Sequence, residues 1–405
     1  MSRKNYLRPL DLKNACVDLS HGAGGRVGAQ LVEELFVRHL DNECLRQGDD
    51  GAVLPASTFM APHARNPGSL PPTGGLASAW DGPAPTFMAP HARNPGSLPP
   101  TGGLASAWDG PAPTFSGRLV TSTDCHVVSP LFFPGGDIGC LSVHGTINDV
   151  AMMGARPLAL TAGFIIEEGF PLADLDRIVA SMAAAARAAG VPVAAGDTKV
   201  VERGKGDGVF ITTTGIGILP PDVELSGRRA RPGDAILLSG SIGDHGMAIM
   251  SQRENLSFDA PIESDTAALH ELVAALLESG ADVRCLRDPT RGGLATTLNE
   301  IAKQSGAGMM LDEAAIPVKP AVAAACEFLG LDPLYVANEG KLVAIVAPAD
   351  AERALAALRA HPLGRAAARI GSVQADAHHF VQMTTIMGGR RIVDWLTGEQ
   401  LPRIC

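Results

Sequence analysis

The chain has few aromatic residues, no long apolar run and no cysteine motif of the kind that holds zinc. Aromatics make up 4% of the 405 residues, and no stretch approaches the roughly 18 consecutive apolar residues of a membrane-spanning helix. The seven cysteines are odd in number, widely spaced and without a C-x-x-C pair, which favours a reducing compartment. Asp11, Lys13 and Asp18 interrupt the apolar core that a signal peptide would need. We therefore expect a cytoplasmic protein with no membrane partner.

The charge balance excludes a nucleic acid as the main partner. Lys and Arg number 33 against 43 Asp and Glu, which gives a net charge of −10, and a phosphate backbone would be repelled by this surplus. Hydrophobic residues reach 46%, enough for a substantial core. At about 100–200 residues per domain, the length predicts two or three globular domains.

One segment is duplicated without a single change: residues 58–85 recur as residues 86–113. Each copy is rich in Pro and Gly and shows neither helical nor alternating periodicity. Two copies are also fewer than the three or more repeats that a stacked solenoid requires. We interpret residues 58–113 as a disordered loop insertion, with no function as the favoured interpretation.

The remaining chain alternates between β-rich runs and Ala/Leu-rich amphipathic runs, which predicts an α/β fold. The predicted strands are 119–123, 157–166, 191–196, 209–219, 235–240 and 341–347, and the predicted helices are 172–189 with Gly190 as its cap, 264–280, a segment after Gly293, and 350–360. The pattern breaks near 220, which predicts an N-terminal domain over 1–220 and a second α/β domain over 221–388. Residues 389–405 are polar and include Pro402, which rules out a regular helix, so we predict a flexible tail there.

Several acidic sites in the first half adjoin predicted strands. Hard carboxylates beside small residues suit Mg²⁺ with a nucleoside triphosphate. One such Asp alone is more often a turn former or a helix cap, but four sites together favour polyphosphate binding. They are Asp49-Asp50, Asp124, Asn148-Asp149 and Asp197-Thr198-Lys199.

Two glycine-rich segments precede helical patterns, and backbone N–H groups at a helix start can meet a phosphate. The first is His21-Gly22-Ala23-Gly24-Gly25, whose spacing matches neither the dinucleotide fingerprint nor the Walker A motif. The second runs from Asp288 to Gly293, where Arg291 adds a cation able to reach phosphate oxygens. A tight turn before a capped helix is the competing interpretation of the second segment.

Lys199 and Glu339 are candidate proton handlers, since Lys199 follows a candidate metal-binding Asp and Glu339 directly precedes a Val/Ile-rich strand. Structural ion pairs compete as an explanation, and periodicity leaves the two interpretations about even. Cys405 differs from the other cysteines because it is the last residue of the predicted tail.

Taken in order, eleven motifs resemble the HypE family of hydrogenase maturation proteins, including HGAGG, STDCHVVSPLFFPGGDIG, GTINDVAMMGARP, GDTKVVERG, RDPTRGGLATTLNEIA, ANEGKLV and the terminal PRIC. The similarity runs from about His21 to Cys405 and is interrupted by the duplication. HypE is related to aminoimidazole ribonucleotide synthetase, selenophosphate synthetase and thiamine monophosphate kinase. The resemblance implies two α/β domains and a homodimer in which the first-domain sheets pair into a barrel, with ATP bound near the subunit interface.

The resemblance also implies a reaction. The carbamoyltransferase HypF would load a carbamoyl group onto the terminal thiol, and ATP-dependent dehydration would convert this thiocarboxamide into a thiocyanate. The cyanide would pass to iron held by HypC and HypD, for a nickel–iron hydrogenase. By position, Cys405 matches the modified residue, and Lys199 and Glu339 match the residues that hold and deprotonate the thiocarboxamide. Asp50, Asp124, Asp149 and Asp197 match the metal ligands, and Gly22, Gly24, Gly25, Asp124, Asn148, Asp149, Asp197, Thr198 and Arg291 match the positions that bind ATP.

Two alternatives stay open. A selenophosphate synthetase or another ATP enzyme of the superfamily would use a reactive cysteine or selenocysteine near the N-terminus, a context that Cys16 lacks. A non-catalytic scaffold for maturation partners would bind them without hydrolysing ATP.

Overall fold

The structure is a computed structural model that describes residues 9–22, 25–42, 45, 117–256, 261–396, 401 and 403–405. Gly24, Asp50 and the duplicated residues 58–113 lie outside the described residues, as do the predictions made for them. Among the described helices, none combines the length and the apolar character needed to cross a membrane.

The helices are α1 (Leu19–Gly22), α2 (Gly25–Leu31), α3 (Val37–Leu40), α4 (Ile138–Met152), α5 (Leu172–Ala189), α6 (Asp244–Arg253), α7 (His270–Glu278), α8 (Gly293–Ser305), α9 (Pro320–Leu329) and α10 (Ala351–Ala360). A π-helical turn, Val32–Phe36, joins α2 to α3. The strands are β1 (Arg118–His126), β2 (Phe132–Phe133), β3 (Gly136–Asp137), β4 (Arg156–Glu167), β5 (Val193–Val201), β6 (Val209–Leu219), β7 (Ala235–Leu238), β8 (Val283–Arg287), β9 (Gly308–Asp312), β10 (Val343–Val346), β11 (Ala368–Gln374), β12 (Val381–Thr384) and β13 (Arg390–Ile392).

The first sheet has four strands in the order β1-β6-β4-β5. Strand β6 pairs antiparallel with β1 and β4, whereas β4 and β5 are parallel. Helix α5 connects this parallel pair and buries the apolar face expected from its sequence, and each such large side chain contributes roughly 1.5–3 kcal/mol. Gly190 ends the helix with a left-handed φ of 66°, which confirms the predicted cap.

The second sheet has seven strands in the order β13-β12-β9-β11-β7-β10-β8. Strands β12 and β9 are parallel, and the other neighbours are antiparallel. The chain leaves the first sheet at Leu219 and enters the second at Ala235. Both sheets are therefore mixed, and helices alternate with strands along the chain, as an α/β fold requires.

Helix α4 lies close against the first sheet and carries much of the candidate site. The Asp137 side chain caps its start by accepting hydrogen bonds from Gly139 N at 2.8 Å and Cys140 N at 3.1 Å. A Cβ atom at Gly215 of β6 would lie only 2.9 Å from the Thr146 and Val150 methyl groups. The glycine on the strand thus allows the helix to approach the sheet closely.

The helix predicted over 264–280 is wrong in its first part, because α7 begins at His270 and residues 261–269 have no regular helix. Two contacts hold this stretch in another conformation. Asp265 forms an ion pair with Lys341 at 3.0 Å, and Leu269 N donates to Asn148 Oδ1 at 2.7 Å. The apolar periodicity of the sequence extends N-terminally beyond His270, but these polar contacts prevent residues 264–269 from forming a helix.

The structure also differs from the flexible tail expected over 389–405. Residues Arg390–Ile392 form β13 at the edge of the second sheet, and Val393 is fully buried. At the extreme C-terminus, Val127 N donates to Cys405 O at 3.0 Å and Ser129 N donates to Arg403 O at 3.1 Å. These main-chain bonds place the last residue against the segment that follows β1.

Candidate active site

Strand β1 places three polar side chains on one face because successive side chains of a strand alternate between faces. Ser122, Asp124 and His126 share the face that is turned inward, whereas Thr123 and Cys125 are exposed. Ser122 Oγ donates to Asp149 Oδ2 on α4 at 2.7 Å. The imidazole of His126 is buried, with Nε2 3.6 Å from Asp124 Oδ2. The strand and the helix therefore bring two of the predicted carboxylates, Asp124 and Asp149, together.

Gly145 marks the point at which this face meets the second half of the chain. A Cβ atom there would lie 3.3 Å from Asp124 Oδ2, 3.2 Å from His126 Cε1 and 3.9 Å from Glu339 Oε2. Glu339 is 3% exposed, and its Oε1 has no hydrogen-bond partner in the described structure. A side chain at this position would have to displace Asp124 and His126 by a few tenths of an ångström, so the glycine keeps the space between them open.

Negative charge accumulates at this point and raises carboxyl pKa values. Burial, followed by Asp288 and Asp124, holds the pKa of Glu339 well above its usual range. Burial and Asp149 raise the pKa of Asp288 to about 7. Burial also raises the pKa of Asp149, although the Ser122 hydroxyl bond lowers it in part. The fold thus holds Glu339, Asp288 and Asp149 so close together that their negative charges repel one another.

The loop that presents Glu339 is fixed by buried polar contacts. Asn148 donates both amide hydrogens to main-chain carbonyls, to Ala267 O at 3.0 Å and to Glu339 O at 3.1 Å. Glu339 N donates to Asp265 Oδ1 at 3.1 Å, and Asp265 in turn pairs with Lys341. Asn148, expected as a cofactor ligand, therefore donates one amide hydrogen to the Glu339 loop and the other to the stretch 261–269 that precedes α7.

Cys405 lies at the same cluster. Its pKa is raised by burial first and then by Glu339 and Asp124, whereas Arg291 lowers it. Asp288, at the loop between β8 and α8, adds to the upward shift. The terminal thiol, Glu339, Asp124 and Asp288 thus share one electrostatic environment, although no sequence spacing connects them.

The residues predicted in the Gly-Asp-Thr-Lys segment lie elsewhere in the protomer. Asp197 and Lys199 are on β5, separated from β1 by β6 and β4, a distance of about 14 Å at the usual strand spacing of about 4.8 Å. Lys199 Nζ pairs with Asp197 Oδ2 at 2.8 Å, and this contact lowers the pKa of Asp197. Lys199 and Glu339, expected to act together, are not neighbours in the fold, because Lys199 lies on β5 of the first sheet and Glu339 precedes β10 of the second.

A cavity of about 350 Å³ adjoins the Asp197 segment. Its walls are mostly apolar and come from α2, the π-helical turn, β4 and β5, with Asp197, Thr198 and Lys199 at one part of the lining. Gly22 ends α1 and Gly25 begins α2, next to the cavity residue His21. The glycine segment and the Asp197 segment therefore belong to the same side of the first sheet.

Arg291 is exposed at the start of α8, and its charge lowers the pKa of Asp149 and of Cys405. Asp288 and His126 were not singled out in the sequence. Asp288 directly follows β8, so the reasoning that selected carboxylates at strand ends could have found it. His126 had no such signal, because only the strand alternation beside Asp124 brings it into the site.

Among the described residues, no group of three or more His, Cys, Asp or Glu side chains is placed to hold a metal ion. Asp124, Asp149 and Asp288 carry hard oxygen donors, and the pKa values of Asp149 and Asp288 are raised by burial first and then by neighbouring carboxylates, whose repulsion a cation would relieve. Histidine and cysteine would not be needed for Mg²⁺, which prefers oxygen ligands and phosphate.

The two-domain α/β fold and its carboxylate cluster define a class of protein. Residues 112–219 match the model of the AIR synthase related protein N-terminal domain, and residues 231–384 match that of the C-terminal domain. A structure of AaThiL complexed with AMPPCP and TMP shares the fold at 17% identity and a TM-score of 0.52, covering 64% of this chain and 82% of the other.

Closer relatives narrow the class. Carbamoyl dehydratase HypE of Cupriavidus necator is 60% identical over 99% of this chain and 98% of the relative. The Escherichia coli protein of the same name is 40% identical over 96% and 99%. The crystal structure of the maturation protein HypE in complex with ATP is 47% identical, with a TM-score of 0.78 over 96% of this chain and 99% of the other. A structure of a HypE–HypF complex aligns at 44% identity and a TM-score of 0.67, covering 90% of this chain and 99% of the other. The chain belongs to the HypE family of carbamoyl dehydratases.

Proposed function

We propose that this chain dehydrates a thiocarboxamide on its own Cys405 to a thiocyanate at the expense of ATP, as a donor of cyanide for the iron of a nickel–iron hydrogenase. The observation that carries the proposal is the position of Cys405: Val127 N, directly after His126 of β1, donates to Cys405 O at 3.0 Å, and burial together with Glu339, Asp124 and Asp288 raises the pKa of the thiol. A cysteine thiol that is also the last residue is an unusual group to place beside a buried carboxyl. The reaction class follows from membership of the HypE family, and the reacting thiol and the nearby carboxyl groups are those of the site.

The first step forms an O–P bond and breaks the bond between the β- and γ-phosphates of ATP. The oxygen of the thiocarboxamide S–C(=O)–NH₂ attacks the γ-phosphorus, and one N–H proton leaves to give S–C(OPO₃²⁻)=NH and ADP. Glu339, buried and with an unpartnered oxygen, is the proposed base for this proton. A raised pKa suits a general base that works near neutral pH.

The second step breaks the C–O bond. The remaining N–H proton is removed as phosphate leaves, which gives S–C≡N and inorganic phosphate. Phosphorylation makes this step feasible because it converts a poor leaving group into a good one. Glu339 is again the residue placed to accept a proton, and its release of the first proton to solvent or phosphate must occur between the steps.

Mg²⁺ bound with ATP would supply charge neutralisation to the triphosphate oxygens. Asp124, Asp149 and Asp288 are the described residues that we propose would hold it, with Asp50 and Asp197 as the further ligands implied by the family resemblance. The exposed guanidinium of Arg291 is proposed to meet phosphate oxygens. Gly22, Gly24, Gly25 and Thr198 remain proposed contacts to the nucleotide.

We propose that a second copy of the chain completes this site. Within one protomer, Asp197 and Lys199 contact each other and are 71% and 63% exposed on β5. Strand β1, at the opposite edge of the same sheet, has an exposed Leu119 and pairs with β6 alone among the described strands. Pairing β1 of one copy with β5 of the other would close the two sheets into a barrel and remove both edges. Lys199 of one copy would then approach Asp124 and the thiocarboxamide of the other.

The proposed partners follow from the chemistry of the thiol. A carbamoyltransferase such as HypF would load Cys405, and an iron-carrying HypC–HypD complex would accept the cyanide. Each exchange requires the tail to leave its own active site, because the thiol is partly buried there.

Mass spectrometry of the C-terminal peptide tests the proposal. The chain is carbamoylated by HypF with carbamoyl phosphate and ATP, freed of nucleotide by gel filtration, and then incubated with or without ATP and Mg²⁺. We expect a carbamoyl group on Cys405 that loses one water only when ATP is supplied, and no modification of Cys405→Ser. An unmodified Cys405 beside a HypF that loads another HypE would contradict the assignment. Loading of Cys405 without any ATP-dependent loss of water would favour the scaffold alternative.

A further inference from the structure

Helix α6 presents a stripe of three residues, spaced four apart, to the C-terminus of the chain. His245, Ile249 and Arg253 lie at i, i+4 and i+8 and therefore share one face of the helix. The reaction described above uses none of them. Each contacts, or shares a packed cluster with, the last three residues.

His245 contacts the backbone of the tail. Its Nε2 lies 2.7 Å from Ile404 O, and its Nδ1 lies 2.8 Å from Ser264 Oγ. A carbonyl oxygen only accepts, so Nε2 must carry the hydrogen, and in the neutral ring Nδ1 then accepts from the Ser264 hydroxyl. The ring is fully buried and packs edge-on against Phe133. Both ring nitrogens are thus used, and one of them is used for the tail.

Arg253 joins the tail to the segment that follows β1. Its guanidinium donates to Arg403 O at 3.0 Å and to Ser129 O at 2.6 and 3.1 Å. Ser129 N also donates to Arg403 O, and Val127 N donates to Cys405 O. Residues 403–405 therefore lie antiparallel to residues 127–129, with α6 on their other side.

The Ile404 side chain of the tail also packs against the protein. Ile404 is 4% exposed and belongs to the same packed cluster as Ile249, Val128 and Phe133. Leu401, which precedes Ile404 in the tail, also lies close to α6. A Cβ atom at Gly246 would be 3.3 Å from Leu401 Cδ1. The apolar contact fixes which residue of the tail occupies the position before the terminal cysteine.

We propose that His245, Ile249 and Arg253 form a tail-binding face that sets the register of the C-terminus, so that the residue directly after Ile404 arrives at Glu339. They are positioning residues, since they hold the backbone at 403 and 404 and leave the reacting atoms to the carboxylate cluster. The inference rests on the proposed function and names the residues that deliver its substrate. It also gives the bound tail a defined set of contacts that must break before Cys405 reaches another protein.

Alkylation of Cys405 tests the docking contacts without any enzymatic turnover. The full-length chain is treated with N-ethylmaleimide without nucleotide, and modification of each cysteine-containing peptide is followed by mass spectrometry. We expect His245→Leu and Arg253→Met to raise the rate at Cys405 about tenfold, since each removes a hydrogen-bond donor to the main chain of the docked tail. His245→Gln keeps an N–H donor and should return the rate most of the way to that of the unmodified chain. Gln252→Ala, an exposed position on the same helix, is the matched control.

The exposed Cys16 gives the rate of an accessible thiol in each sample, and the buried Cys285 of β8 reports general opening of the fold. A rate that rises equally at Cys285, or a large fall in the melting temperature, would show general loosening and would overturn the assignment of these residues to tail binding. Equal protection of Cys405 in all variants would overturn it too. Because no carbamoyl group is involved, either result is independent of whether the dehydratase reaction itself is correct.

A second experiment measures the register. The chain with one alanine inserted between Ile404 and Cys405 keeps the thiol but moves it one residue beyond the docked position. After loading by HypF, we expect ATP-dependent loss of water to slow at least about tenfold, while the loading rate stays within about twofold. Ile404→Val, which keeps a β-branched apolar side chain, should behave like the unmodified chain. An unchanged dehydration rate in the variant with the inserted alanine would show that α6 does not set the register of the tail.

Discussion

Asp124 and Glu339 meet at one turn of helix α4, although one ends a strand of the first sheet and the other precedes a strand of the second. An added methyl group at Gly145 would lie 3.3 Å from Asp124 Oδ2 and 3.9 Å from Glu339 Oε2. Two carboxylates at such a point repel each other, and burial strengthens the effect. Burial first, and then repulsion from Asp288 and Asp124, keeps the pKa of Glu339 high, and a positive charge at this point would relieve the repulsion.

Replacing Glu339 by Gln should separate stability from catalysis. The unfolded glutamate ionises at a lower pH than the folded one, so the wild-type free energy of unfolding falls as pH rises past the unfolded pKa. Glu339→Gln removes this loss, so we expect the variant to be the more stable protein at pH 9 and similar at pH 5. Dehydration should fall by about 10²–10⁴-fold, the usual range for a lost general base. Thermal unfolding at the two pH values and the mass-spectrometric assay measure both effects.

The exposed Glu327 of α9 is the control for that experiment. Glu327→Gln should change neither the pH dependence nor the dehydration rate. Retention of more than about a tenth of the activity by Glu339→Gln would contradict its role as the base.

Asp288 should make the nucleotide-free protein less stable as pH rises through neutrality. Burial and then Asp149 raise its folded pKa to about 7, above the ordinary aspartate value of 3.8, so the free energy of unfolding falls as pH rises between these values and the loss is complete at pH 8. We expect Asp288→Asn to raise the free energy of unfolding at pH 8 by about 1–2 kcal/mol and to change it little at pH 4. Denaturant titrations of this variant and of the exposed Asp222→Asn would measure the difference. Equal effects of the two substitutions at pH 8 would argue against a special environment for Asp288.

Lys199 and Glu339 should complement each other between subunits. Lys199→Met and Glu339→Gln are each expected to be nearly inactive, but mixing and reassembling equal amounts would form half mixed dimers with one intact site each. The mixture should therefore recover about a quarter of the wild-type activity. If both residues act within one protomer, mixing will restore nothing. Analytical ultracentrifugation of each variant must show that a dimer forms at the assay concentration.

Gly145→Ala should improve the helix and damage the site. Alanine is favoured over glycine in a helix interior by about 1 kcal/mol, but its methyl group would crowd Asp124 and His126 at 3.3 and 3.2 Å. We expect little change in melting temperature and at least about a tenfold loss of ATP-dependent dehydration. Wild-type turnover with alanine at this position would show that the space at Gly145 is not used by substrate or metal.

Deleting one copy of the duplicated segment, residues 86–113, should change the melting temperature little. Loop-closure entropy changes by only about 0.6 kcal/mol for each doubling of loop length. Differential scanning calorimetry and size-exclusion chromatography of the deletion variant would measure stability and assembly. A large loss of either would show that the duplicated segment is structural.

The sequence predicted the elements that depend on local patterns. The strand over 209–219 and the helix that ends at Gly190 are confirmed by the structure, because strand alternation and a glycine cap act within a few residues. The prediction of helix over residues 264–269 was wrong, because a long-range ion pair between Asp265 and Lys341 overrides the apolar periodicity. Long-range contacts of this kind leave no periodic trace.

The site was predictable in its residue types but not in its grouping. The search for carboxylates at strand ends selected Asp124 and Asp149, and the structure brings these two side chains together. Asp197 is also a carboxylate beside a predicted strand, yet it lies on β5 at the opposite edge of the sheet from β1. The spacing of motifs along the sequence does not determine the order of strands in the sheet. Asn148 was expected to bind the cofactor and instead uses its amide hydrogens within the protein.

The antiparallel docking of residues 403–405 means that the enzyme carries its substrate on the same chain. Tethering gives such a group an effective concentration in the millimolar range for a short flexible connection. Free peptides that copy the tail must exceed this local concentration before they compete, so ordinary peptide inhibitors will be weak. The dehydration rate should likewise be first order in loaded protein and show no saturation by added tail.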